Sequence, residues 1–335
     1  MDGMRVAIVG AGWMAEQHVD ELRRRDDVDI VGVADVDVDR ARALAGGGEA
    51  FASWEELLGA VTADALWVCT PPATHADIAC GAFDRGMAVY LEKPIARDVA
   101  DGRRIAAAAE ATGAVCAVGY QWHAVELLPR VREALAGRPV GFVLGKNIGA
   151  TKVRPWFVRQ EQGGGNILER ASHHIDLVRL LAGEVDAVQV GTSSVSLGGR
   201  PRDTGDIEDA LTVVLHLRSG GMATVLVVWL REGLPTSYGL EIAADGAYLR
   251  LDLDPAFTLD GVVDGSPVHA VAGAPALRSS IDRFLAAARA GDPSLVPCTP
   301  ADALRTLAVA RAAEAALVSG GTVLVGEDDG GSRAG

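Results

Sequence analysis

The sequence predicts an α/β fold: an N-terminal doubly wound parallel sheet, then an α+β domain with a large, mostly antiparallel open sheet. Three observations predict it. The first third alternates short segments that are apolar on both faces with helical segments, as parallel strands covered on both sides require. The first such segment ends in the turn GAG and passes directly into a helix. After about Trp122 the rhythm changes, and long strands follow one another without helices between them. At 335 residues the chain has room for about two domains, at roughly 150 residues each.

The elements follow in order. Arg5–Val9 reads as a buried strand and Ala15–Arg25 as a helix. Ile30–Ala34 and Ala65–Val68 are strands, with a helix from about His75 to Arg85. Ala88–Leu91 is a strand, Val99–Thr112 a helix and Val115–Gly119 a strand. The second domain opens with a helix over Val125–Leu135 and a strand near Val140–Lys146. A glycine run, Gly163–Gly165, precedes a helix from about Ile167 to Ala182. Strands are expected at Val185–Ser196, Ala210–Leu217, Met222–Leu230, Tyr238–Ala243 and Ala247–Leu251. Two helices, Ser279–Ala290 and Ala301–Val318, close the second domain. The expected boundaries are 1–122 for the first domain and 123–326 for the second, with 327–335 a disordered tail.

Composition narrows the function. Hydrophobic residues make up 49% and charged residues 23%, the balance of a globular protein. With 31 basic and 45 acidic residues, the formal charge is −14. That argues against nucleic acid or an anionic membrane as partner, since both reward a basic surface. The N-terminus lacks the basic and apolar regions of a signal peptide, and the longest apolar runs are strand-sized. The four cysteines are scattered without a CxxC spacing, which favours free core thiols in a reducing cytoplasm over disulfides or zinc.

VAIVGAGWMA sets Gly10, Gly12 and Ala15 as G-x-G-x-x-A between a strand and a helix. The first glycine permits the turn, the second lets the backbone approach a pyrophosphate, and the alanine allows close helix packing. The pyrophosphate would rest on the free amides of the helix N-terminus, beside Trp13 and Met14. Asp35 ends the second strand, where a carboxylate accepts hydrogen bonds from an adenosine ribose and repels a 2′-phosphate. NAD is therefore favoured over NADP, with Arg40 as a partial offset. CTPPATH (Cys69–His75) and LEKPIARD (Leu91–Asp98) both follow strands at the carboxyl edge of the sheet, where ligands bind in such folds. Pro94 biases Lys93 toward an extended conformation, so the chain cannot turn directly into a helix.

On the glycine motif, CTPPATH, the E-K-P triplet (Glu92, Lys93, Pro94) and the GGG segment followed by H-x-x-D, the chain resembles the glucose–fructose oxidoreductase / inositol dehydrogenase / MocA family across essentially its whole length. The resemblance implies a Rossmann domain and a nicotinamide cofactor. It maps cofactor contacts onto Gly10, Gly12, Asp35, Thr70, Pro71, His75, Glu92 and Lys93, with Gln121 and Trp156 as additions. It places Lys93 beside the nicotinamide and the reacting hydroxyl. In the family's pattern GGGxLxDxGxHxxD this chain has Glu169 for the first acid and Ala171 for the glycine, with His173 and Asp176 matching.

At 100° per residue, Glu169, His173 and Asp176 share one helix face, while His174 falls toward the apolar side and reads as packed. His173 is the expected proton acceptor, with Lys93 stabilising the developing oxyanion or itself acting as base. Glu169 and Asp176 would orient His173 and bind neighbouring hydroxyls. No metal is expected, because hydride transfer needs none. The leading function is hydride exchange between nicotinamide C4 and a secondary alcohol of a sugar, aminosugar, nucleotide sugar or cyclitol. A redox-neutral NAD-using glycosidase or epimerase and a non-catalytic NAD-sensing regulator are the alternatives. Both alternating faces of Ala223–Leu230 are apolar, so a second subunit is expected on the open face of the sheet, giving a homodimer or homotetramer.

Overall fold

The computed structural model describes residues 3–150, 158, 165–193, 195–198, 207–254 and 257–326. It divides into two compact units, Met1–Ala124 with Ala276–Leu304, and Val125–Pro275 with Arg305–Gly335. No helix among the described residues is long and apolar enough to cross a membrane.

The first unit holds six strands: β1 (Met4–Val9), β2 (Val28–Ala34), β3 (Glu49–Phe51), β4 (Ala65–Val68), β5 (Ala88–Leu91) and β6 (Cys116–Val118). They lie in the order β3-β2-β1-β4-β5-β6 and every pairing is parallel. Helices α1 (Trp13–Leu22), α2 (Val38–Ala45), α3 (Trp54–Ala60), α4 (His75–Phe83) and α5 (Val99–Thr112) connect them. The region between Asp35 and Asp64, where the sequence pattern predicts no element, contributes α2, β3 and α3. The two helices are capped by Asp37 and Ser53, whose side chains accept from the amides of Arg40 and Glu56. Three residues of strand are too few for periodicity to show.

The helix expected over Ser279–Ala290, within the span 123–326, runs from Ala276 to Ala290 and falls in the first unit. The reason is aromatic packing: Phe284 is fully buried and meets Trp67 and Tyr90 edge-on at 5.0 and 5.5 Å. Trp67 and Tyr90 stack on each other at 5.6 Å, and the Tyr90 hydroxyl hydrogen-bonds Ser280 Oγ at 2.9 Å. Burying a phenylalanine ring contributes on the order of 2–3 kcal/mol, so this helix is fastened where Trp67 and Tyr90 lie.

The second unit is built on nine strands: β7 (Val140–Gly149), β8 (Val185–Thr192), β9 (Ala210–Leu217), β10 (Met222–Trp229), β11 (Ser237–Ala244), β12 (Ala247–Asp254), β13 (Thr258–Val263), β14 (Ser266–Val271) and β15 (Val323–Leu324). Their order is β14-β13-β12-β11-β7-β10-β9-β8-β15. All pairings are antiparallel except β7 with β10. The β13–β14 hairpin and β15 add to the strands expected from sequence, and β8 ends at Thr192 instead of Ser196. From Val143 along β7, and throughout β9 and β10, burial alternates. Val213, Val225 and Val227 are fully buried, whereas Leu144, Ile148, Val214, Leu226 and Val228 stand on the other face and are only partly covered. Trp156, Gly163, Gly164 and the tail 327–335 lie outside the described residues.

Candidate active site

The cofactor edge of the first unit starts at the end of β1. Gly10 has φ +93°, and a Cβ there would sit 2.6 Å from the Cys69 carbonyl oxygen. Only glycine fits both the conformation and the space. Gly12 is the opposite case, since a Cβ on it would meet nothing within 4 Å. It caps α1 without a side chain, so no side chain fills the space at the helix N-terminus. A cavity of about 390 Å3, lined by Ala11, Gly12, Trp13, Glu16, Arg40, Ala43 and Leu44, begins there. Uncapped amides, a positive dipole end and an unfilled cradle are what a dinucleotide pyrophosphate needs, and the residues present fit NAD. Ala15 is fully buried, as the motif requires, while Trp13 is exposed and Met14 half-buried.

Asp35 is tied into this turn. One carboxylate oxygen accepts the Ala11 amide at 2.6 Å and the other the Asp37 amide at 2.8 Å, so the acid both shapes the turn and carries charge beside it. Arg40 pairs with Asp37 at 3.2 Å and is well exposed.

The two loops after β4 and β5 are fastened together. Thr70 and Pro71 accept hydrogen bonds from the Thr74 hydroxyl at 2.7 and 2.9 Å. His75 is fully buried, with Nε2 2.9 Å from the Thr70 carbonyl and Nδ1 3.1 and 3.2 Å from the Pro94 and Ile95 carbonyls. Burial pushes its pKa down, with the carbonyls opposing. The resemblance assigns His75 to the cofactor. Both ring nitrogens face backbone carbonyls, of which the neutral ring can donate to one side only, and full burial sets the ring between the loops as a clasp with no surface open to a cofactor. Glu92 is also buried: one oxygen lies 2.7 Å from His18 Nε2 and the other accepts the Lys93 amide at 3.1 Å. Lys93 itself is half-buried, and its peptide bond to Pro94 is cis. Gln121 opens the short turn after β6 and is half-buried.

In the second unit the expected continuous helix is two pieces. Ile167–Ala171 forms a π turn, and α6 (Ser172–Ala182) continues from it. Hydrogen bonds in such a turn run i→i+5, so the 100° step fails through this stretch. Glu169 and His173 remain half-buried among neighbours that are buried. Asp176 does not join them at the surface. It is 1% exposed, and its carboxylate accepts the Thr306 hydroxyl at 2.8 Å while Arg179 donates to that hydroxyl at 2.6 Å. His174 is buried as expected. Its Nε2 lies 2.8 Å from the Lys146 carbonyl, and burial pulls its pKa down to about 4.

Sequence reasoning missed two residues that hold these segments. His18 lies on the buried stripe of α1 with Ala15, Val19 and Leu22; a histidine in an apolar stripe was the available signal. Arg170 is 4% exposed. It donates to Asn147 Oδ1 at 2.6 and 3.1 Å and to the Asn147 and Val228 carbonyls at 3.3 and 3.4 Å. Its guanidinium stacks 4.6 Å over Trp229, whose indole donates to Asn166 Oδ1 at 2.6 Å. A cation held by neutral acceptors and a ring face leaves no charge pattern in the sequence.

Comparison with known proteins agrees with this geometry. Residues 4–120 match a family model described as "Oxidoreductase family, NAD-binding Rossmann fold" and residues 131–247 one described as "GFO/IDH/MocA C-terminal domain". The chain is 27% identical to the rhizopine catabolism protein MocA of Rhizobium meliloti, over 93% of this chain and 95% of that one. It is 28% identical to an inositol 2-dehydrogenase of Rhizobium meliloti (strain 1021), over 66% and 68%. Its fold matches the WlbA dehydrogenase of Bordetella pertussis, solved with NADH and UDP-GlcNAcA, with a TM-score of 0.79, 23% identity and 97% and 99% coverage.

Proposed function

Because this chain belongs to the GFO/IDH/MocA oxidoreductase family, we propose that it is an NAD-dependent dehydrogenase acting on a secondary alcohol of a sugar, aminosugar, nucleotide sugar or cyclitol. The observation that carries the reading is the open space before Gly12 at an uncapped helix N-terminus, with the Asp35 carboxylate on the same turn. The names of relatives, an inositol dehydrogenase and a rhizopine catabolism protein, support the substrate class. Asp35 supports NAD over NADP, because its charge opposes a 2′-phosphate and Arg40 is engaged by Asp37.

Bound NAD would supply the hydride acceptor for oxidation of the carbinol to a carbonyl, and the hydroxyl proton is left for this chain's residues to take. His173 takes that proton, a role suited to an imidazole. Lys93 hydrogen-bonds the same oxygen and stabilises its developing negative charge. Glu169, four residues before His173, binds neighbouring hydroxyls. Asp176, buried against Thr306, acts from beneath as a positioning residue.

Incubation of the protein with NAD and, separately, NADP against a polyol and nucleotide-sugar panel tests this. NADH formation with at least one substrate is expected, and NADP is expected to serve less well. Lys93→Ala and His173→Ala should each lower kcat by about 10²–10⁴-fold. Turnover without net NADH, or full activity in both variants, overturns the reading. The half-exposed apolar face of the second sheet supports a second copy of this chain as its cover, in a homodimer or homotetramer. Sedimentation as a monomer at micromolar concentration would refute that assembly.

A further inference from the structure

We infer that His18, on the helix that opens the glycine motif, is a positioning residue for Lys93, acting through the Glu92 carboxylate. The inference rests on the role given to Lys93 above. His18 is fully buried, and Nε2 lies 2.7 Å from Glu92 Oε1. Nδ1 is buried with no hydrogen-bond partner, so the satisfied tautomer carries its proton on Nε2 and donates it to the carboxylate. A proton on Nδ1 would be a buried donor with nothing to receive it. The ring is held in place by the edge of Tyr90, 4.9 Å away at 65°, and Tyr90 is itself anchored by Ser280.

The far side of the carboxylate is the informative one. Glu92 Oε2 accepts the backbone amide of Lys93 at 3.1 Å, and the Glu92 amide donates to the Val68 carbonyl at 2.9 Å. One buried acid therefore joins α1 to the turn that presents the lysine. Gly119 keeps the space, since a Cβ there would lie 3.0–3.1 Å from the Glu92 carboxylate atoms. His75 fixes the following two carbonyls from a different direction. Removing the His18 donor would leave a buried carboxylate short of a partner, and its desolvation cost would drive it to turn toward another donor. Lys93 then loses its amide acceptor and its register.

The test compares His18→Leu, His18→Gln, Glu92→Gln and Gly119→Ala in the full-length protein. Glutamine places an amide donor where Nε2–H was; leucine removes it. Amide hydrogen exchange across residues 91–98 in the cofactor-free protein should speed up about tenfold in His18→Leu, and likewise in Glu92→Gln and Gly119→Ala. It should return to within about threefold of the parent in His18→Gln. Turnover should follow: kcat falls by about 10- to 100-fold in His18→Leu, with the NAD dissociation constant changed far less, and His18→Gln restores it. Unchanged exchange at Lys93 in His18→Leu, or a His18→Gln protein as impaired as His18→Leu, overturns the inference. If His18→Leu fails to fold, Glu92→Gln and Gly119→Ala decide by the same exchange measurement. Full turnover in Lys93→Ala would sink the catalytic role of the lysine, while the exchange results would still judge the link from His18.

Discussion

The Lys93 edge and the Glu169–His173 turn hold the side chains proposed to react by different means. At the first, the supports act on loop backbone: a glycine that alone fits its space, a carboxylate on an adjacent amide, a histidine between two loops. At the second, a π turn is held by a buried guanidinium whose acceptors lie 23 and 58 residues away in sequence, over a tryptophan ring. The first edge is thus stiffened by contacts to loop backbone, with His18 reaching its carboxylate from α1. The second depends on the packing of helix against sheet, and its sensitivities should differ accordingly.

The largest effect expected from that contrast is at Gly10. Gly10→Ala combines a left-handed φ with a Cβ pressed on the backbone carbonyl of Cys69, which cannot yield as a side chain would. Strain and overpacking together should cost about 4 kcal/mol and abolish NAD binding. Urea unfolding with an NAD titration measures both. A variant that keeps parental stability would show that the glycine turn is softer than its geometry implies.

Next in size is acid sensitivity on the second side. His174 takes up its proton near 6.5 when unfolded but only near 4 when folded, so the unfolded chain binds more protons in that window. Stability is therefore lost as pH falls from about 6.5 through about 4, by about 3 kcal/mol in all. His174→Gln keeps a donor for the Lys146 carbonyl and has no such titration. Its urea midpoint should vary less with pH across this window, and parallel curves for parent and variant would reject the assignment.

The smallest effect on folding is expected at the outer face of the second sheet. Leu226 stands opposite Lys146 in register, and Lys146 pairs with Glu241 at 2.7 Å. The Glu241 carboxyl is held below its ordinary value by Lys146 first and then by the Tyr248 hydroxyl. Leu226→Lys should change monomer stability by less than about 1 kcal/mol, yet weaken the proposed self-association by about 100-fold. Sedimentation velocity checks this, and a variant that associates as tightly as the parent would move the interface elsewhere.

Much of the first unit is legible in the sequence because its determinants are local. Alternating buried strands, the turn at Gly10–Gly12 and the acid at the end of β2 each depend on neighbours within a few residues. The packed state of His174 is also readable, from its place on the apolar side of the helix. The same helical projection sets Asp176 near His173 but cannot show that Thr306 covers it, and the π turn upstream, which no residue pattern announces, changes the angle of both to Glu169. The helix Ala276–Ala290 sits in the unexpected unit for a related reason: periodicity shows that a helix has an apolar face, not which core that face meets.

The sequence by itself therefore determined the fold class and the cofactor turn, since each is encoded in short motifs with local physical causes, while Lys93 and His173 as the reacting groups are what the family resemblance implies. Tertiary structure alone decided that His75 is a clasp, that His18 reaches Glu92 across 74 residues, that Asp176 is buried under Thr306 and that Arg170 anchors the His173 turn. Those outcomes depend on which side chains meet in three dimensions. A buried donor or charge takes whatever acceptor the packing brings within about 3 Å, and sequence separation carries no information about that distance.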